Sequence, residues 1–187
     1  MSDGGGAAAG AGLRRSRLPG IVAAAALAAV AVVLAVAGGD DESPATERPP
    51  RIVGPAALIE LADDLGHPVY WAGPRPPRRL ELSERSGDTY VRYLPPRASA
   101  GAEGALLTVG TYAVADAAAA VRRAAAEAGV AVESGPRGSV VLAESAPTSA
   151  YMVRPGSDLQ VEVFDPRPGR AAELVRSGAI VSVGGGG

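Results

Sequence analysis

Residues Arg79–Leu94 read RLELSERSGDTYVRYL, and this stretch decides the fold class. Leu80 and Leu82 alternate with Arg79, Glu81 and Ser83, the period-2 pattern of a strand with one buried face. Ser86-Gly87-Asp88 supplies a turn, and Thr89–Leu94 returns. Val91 and Tyr93 share one side of the returning strand, Tyr90 and Arg92 the other. If the first pair is buried, Tyr90 and Arg92 point outward together with Arg79. Two strands joined by so short a connection form an antiparallel hairpin.

Upstream, Pro55–Leu65 carries Leu58, Leu61, Ala62 and Leu65 at helical spacing, with Pro55 suited to the first turn. Gly66 fits the left-handed position past the helix end, and Pro68 blocks continuation. Val69–Ala72 is a short aromatic strand. Downstream, 95–103 is a loop and Leu106–Thr111 a nearly continuous apolar strand. Val114–Ala128 predicts a helix rich in alanine, the best helix former, with Asp116 in its first turn and Gly129 after its end. Short strands follow at 130–133, 139–144, 150–154 and 159–164, then a helix over Pro168–Ser177 and an edge strand over Ala179–Val183. Clusters of hairpins between helices predict an α+β domain over 55–183 with a mostly antiparallel sheet and about three helices. Two helix-plus-strands blocks, starting near Pro55 and Ala113, suggest an internal duplication. A tail of glycines at 184–187 closes the chain.

The N-terminal third has another character. Leu18–Gly39 carries no charge over 22 residues, with IVAAAALAAVAVVLAV inside it. About 20 apolar helical residues span a hydrocarbon core of roughly 30 Å, so the stretch is read as a transmembrane signal anchor. Arg14, Arg15 and Arg17 precede it, which keeps the N-terminus cytoplasmic and sends the domain outward across the cell membrane. Ala35-Val36-Ala37 also fits a signal-peptidase site, so a secreted form cleaved after Ala37 stays open, as does a buried soluble helix. Residues 1–17 read as a disordered cytoplasmic tail and 40–54 as a proline-bearing linker.

Composition narrows the function classes. The chain has no cysteine, which removes disulfides, thiol catalysis and cysteine-ligated metals. Its 18 basic residues are all arginine. Setting aside Asp3, Arg14, Arg15 and Arg17 leaves 15 arginines and 19 acids, a formal charge of −4, which argues against a nucleic-acid partner.

No catalytic set, cofactor site or metal site emerges. His67 is the sole histidine, beside Asp63 and Asp64; a metal site needs three or four converging ligands, and a helix-end histidine accounts for the pattern. Tyr70-Trp71 is either a stacking platform, for a glycan for example, or a core anchor. The arginine-proline run over 73–79 is either a stiff solvated loop or a segment that docks a groove or anionic headgroups. The candidate interaction surface is His67, Tyr70, Trp71, Arg79, Tyr90 and Arg92.

The strings LGHPVYWAGP (65–74), YVRYLPP (90–96), LTVGTY (107–112) and PGSDLQVEVFDP (155–166) resemble an uncharacterised family of membrane-anchored extracytoplasmic proteins from high-GC bacteria. That resemblance spans about 55–183 and implies a self-standing envelope domain with no assigned activity. The expectation is a membrane-anchored domain that binds an envelope protein or glycan. A carboxylate-dependent hydrolase and a passive structural or assembly domain are the alternatives, and the oligomeric state is unassigned.

Overall fold

A computed structural model describes residues 47–135, 138–142 and 147–184. Its elements in chain order are β1 (Arg48–Val53), α1 (Pro55–Leu65), β2 (Val69–Trp71), β3 (Arg79–Arg85), β4 (Asp88–Leu94), β5 (Thr108–Ala113), α2 (Ala117–Ala128), β6 (Val132–Gly135), β7 (Gly138–Leu142), β8 (Ser149–Val153), β9 (Leu159–Phe164), α3 (Arg170–Arg176) and β10 (Val181–Val183). The hairpin read from sequence is β3–β4, in unbroken register from Arg79 opposite Leu94 to Arg85 opposite Asp88. Ser86 and Gly87 both take positive φ (53° and 86°), the geometry that matches a two-residue turn to the twist of its strands.

An eight-stranded sheet runs β1-β3-β4-β5-β9-β8-β7-β6, and its neighbouring strands pair antiparallel. Together with three helices among the described residues, this is the α+β class. The inner face carries the larger core. Leu80, Leu82, Val91, Tyr93, Val109, Val161 and Val163 pack there against Leu58, Leu61 and Ala62 of α1 and Leu174 and Val175 of α3. Each of these leucine and valine side chains contributes about 1.5–3 kcal/mol on leaving water.

Beside α1 lies a two-stranded ribbon, β2 with β10, which covers β4 and β5 of the sheet. Polar contacts pin it down. The Tyr93 hydroxyl accepts from the Ala72 amide at 2.7 Å and donates to the Gly73 carbonyl at 3.0 Å. Thr111 Oγ1 accepts from the Tyr70 amide at 3.2 Å. The outer face is covered only in part, by α2 and the Val114 that leads into it: Val114, Ala117, Val121 and Ala125 pack against Tyr112, Tyr151 and Val153.

Several expectations need correction. The linker expected over 40–54 gives up its last residues to β1, which pairs with β3 from Arg48 opposite Glu84 to Val53 opposite Leu80. Pro49 and Pro50 fit because β1 is an edge strand, where missing amides cost no ladder bond, and the register slips between Arg48 and Arg51. Charge explains the pairing: Arg48 and Arg51 both reach the buried Glu84 carboxylate at 3.2 Å. Helix α2 starts at Ala117, not Val114, because Asp116 is its cap: its Oδ1 accepts from the Ala119 amide. The last helix is shorter than Pro168–Ser177, and β10 joins β2 and not the edge of the main sheet.

The tandem duplication does not describe this arrangement. Its blocks would match α1 with α2, but those helices pack on opposite faces. The sheet order is instead symmetric about β5–β9, and the antiparallel β2–β10 ribbon matches α1–β2 with α3–β10. The expected tail at 1–17, transmembrane span at 18–39 and most of the linker lie outside the described residues, as do the last residues of the 139–144 strand and 185–187. Among the described residues no helix is long and apolar enough to cross a membrane.

Candidate functional site

Strand alternation divides the six candidate residues between the two faces. Tyr70 and Trp71 sit in the ribbon on the inner side, buried, with the Arg154 guanidinium 5.4 Å from the Tyr70 ring centre. Burial pushes the Tyr70 phenol up, and Arg154 opposes that in part. His67 follows the left-handed Gly66 at the end of α1, half-buried, with Nδ1 3.2 Å from the Pro68 carbonyl. Among the described residues no group of three His, Cys, Asp or Glu side chains could hold a metal ion. Arg79, Tyr90 and Arg92 alternate with core residues and belong to the outer face. His67, Tyr70, Trp71 and Arg92 therefore do not line one concave surface.

The outer face holds two polar clusters. In the first, Arg92 Nη1 lies 2.6 Å from Glu81 Oε1, directly across the hairpin. Glu81 is fully buried, so this pair is desolvated and partner loss is costly. Arg92 Nη2 donates to the Ala102 carbonyl at 2.8 Å, and the Gly101 amide donates to Glu81 Oε2. The pair thus fastens the 95–107 loop onto the sheet.

The second cluster centres on Glu162, in the middle of β9 and opposite Tyr151. Its carboxylate accepts from the Tyr112 hydroxyl at 2.9 Å, from Ser149 Oγ at 3.1 Å and from the Tyr151 hydroxyl at 3.4 Å. Burial pushes the Tyr112 and Tyr151 phenols far up, and the Glu162 charge adds to it, so both remain protonated donors. Gly110, opposite both Tyr90 and Glu162, makes room: a Cβ there would stand 2.6 Å from the Tyr112 hydroxyl oxygen. The Tyr112 ring therefore lies back over Gly110 and meets the Tyr90 ring edge-on, centres 5.8 Å apart and planes at 82°.

Tyr90 and Asp88, both half-buried, border this second cluster. Burial pushes the Asp88 carboxyl up to about 6, while a hydrogen bond from the Ala113 amide pulls the other way. Burial and the negative charge of Asp88 raise the Tyr90 phenol. Beside the part of the face that α2 covers stands a strip with a half-buried phenol packed edge-on against Tyr112, a half-buried carboxylate and a buried carboxylate beneath. Such a strip offers hydrogen-bond acceptors next to a partly exposed aromatic ring.

The sequence reading assigned Tyr90 and Arg92 to this face and named none of Asp88, Tyr112, Ser149, Tyr151 and Glu162 as candidates. In Leu159–Phe164, Gln160 and Glu162 alternate with Val161 and Val163, a pattern that reads as one core face and one solvent face; only the structure shows that Gln160 and Glu162 are buried as well. No protein-family model, curated protein or solved structure matches the chain.

Proposed function

We propose that this chain is a single-pass, membrane-anchored extracytoplasmic binding domain whose ligand seat is the outer sheet face at Asp88 and Tyr90, beside the buried Glu162 cluster. The anchoring half rests on Leu18–Gly39 and its preceding arginines. The binding half rests on one observation: Tyr90 and Asp88 stay half-open beside a buried carboxylate, on a face that α2 covers only in part. Tyrosine stacking beside hydrogen-bond acceptors suits an envelope glycan bearing hydroxyl or amino groups. A hydrolase reading draws on the same two carboxylates. It is the weaker one, because the Glu162 oxygens are already engaged by three hydroxyl donors.

The cysteine-free chain makes topology simple to test. Ser99→Cys in the exposed loop and Ser2→Cys near the N-terminus would be treated in intact cells with a membrane-impermeant maleimide. Labelling at 99 but not at 2 is expected. Labelling at 2 alone, or at neither until lysis, overturns the anchoring half.

A further inference from the structure

The two turn segments at one end of the hairpin concentrate positive charge on an otherwise acidic domain. Arg75 and Arg78 occupy one turn, closed by the Arg78 amide donating to the Arg75 carbonyl at 2.8 Å. Arg79 opens β3 and donates to the Ala98 carbonyl at 3.3 Å, which joins it to the 95–98 turn that carries the exposed Arg97. Arg75 Nε donates to the Ala72 carbonyl at 3.0 Å and Arg78 Nη1 to the Tyr93 carbonyl at 3.1 Å. Among the described residues none of the four forms an ion pair. The acids on these segments and β3 do not offset them: Glu81 is buried against Arg92, Glu84 is paired with Arg48 and Arg51, and Glu103 is one exposed carboxylate.

Three of these guanidiniums are held by a backbone carbonyl. That pre-orders the fork and leaves most of its five N–H groups for an oxyanion. Single exposed contacts of this kind are weak, so a monomeric anion gains little, whereas a chain of regularly spaced anions engages several at once. We infer that Arg75, Arg78, Arg79 and Arg97 form a docking surface for a linear phosphate-linked polymer of the cell envelope. A phosphate linkage stays ionised at every envelope pH and presents its paired oxygens along the backbone, where the planar forks meet them two at a time.

The bilayer is the competing source of phosphate, and the fold disfavours it. The polypeptide enters the domain at Arg48, opposite Glu84. Arg79 lies at the other end of β3, about 17 Å along the strand. On the anchored reading above, the chain thus enters the domain at the end of β3 opposite Arg79; the charge argument does not depend on that reading.

The test titrates the full chain in neutral detergent with long-chain inorganic polyphosphate at several salt concentrations. Binding that weakens as salt rises is expected, with orthophosphate far weaker. Arg97→Gln should weaken binding about five-fold, and Arg79→Gln with Arg97→Gln about twenty-fold. Arg122→Gln with Arg123→Gln, the same charge change on the exposed side of α2, should leave it unchanged. Equal losses in both double variants, or orthophosphate matching the polymer, overturn the proposal. So does tighter binding of the same arginines to phosphatidylglycerol vesicles than to polyphosphate. The titration is read in detergent, so its outcome is separate from that of the labelling in cells.

Discussion

Replacing Arg92 with glutamine tests the polar clamp that holds the 95–107 loop. The wild-type pair is close at 2.6 Å, with Glu81 fully buried and the Arg92 side chain 21% exposed. Removing one partner of a buried ion pair costs about 3–5 kcal/mol, because the remaining charge is left desolvated. Here the Gly101 amide still donates to Glu81 and Arg92 retains some water contact, so the loss falls at about 2–4 kcal/mol. That is a large share of the roughly 5–15 kcal/mol expected of a folded domain. Urea unfolding at neutral pH measures it, and a cycle with Glu81→Gln isolates the pair. The double variant should recover at least half of the single variant's loss, since a neutral amide no longer needs the cation. Amide exchange in the loop should speed up in Arg92→Gln beyond the global change. A loss below about 1 kcal/mol, or a double variant as unstable as the sum of the singles, would refute the reasoning.

Three further predictions concern the core, the edge and the strip. Tyr93→Phe strands the Ala72 amide and frees the Gly73 carbonyl, so it should cost about 1–3 kcal/mol in urea unfolding despite keeping the ring. A chain beginning at Gly54 should be markedly less stable than one beginning at Glu47, because it loses β1 and leaves Glu84 buried without Arg48 or Arg51; equal melting temperatures would return 48–53 to the linker. Asp88 has a folded-state pKa of about 6, above its ordinary value. The folded state then holds more protons than the unfolded one between about pH 4 and 6, so stability falls as pH rises through that window. Asp88→Asn should be more stable than wild type by about 1 kcal/mol above pH 7, discounted for partial exposure, with the difference vanishing below pH 4.

Much of the fold was legible because its hairpins obey strict alternation. Leu80, Leu82, Val91 and Tyr93 announce an inner face, and Tyr90 and Arg92 an outer one. What stayed hidden depends on contacts far apart in sequence. Residues 48–53 carry two prolines and two arginines, which read as spacer until Glu84 supplies their partner 33 and 36 residues away. Tyr70-Trp71 is two residues of a three-residue strand whose partner, β10, lies more than a hundred residues on, so its face could not be read from periodicity. Glu162 is similar: the hydroxyls that satisfy it come from β5 and β8, and Gly110 matters only because Tyr112 folds back over it.

The central claim is that the strip at Asp88 and Tyr90 meets a ligand outside the membrane. A photoreactive amino acid at Tyr90, compared with one at Ile59 on the exposed side of α1, tests it in living cells. The account predicts a discrete, light-dependent adduct in the envelope fraction from position 90 and none from position 59. Adducts from both positions alike, or from neither, would contradict it.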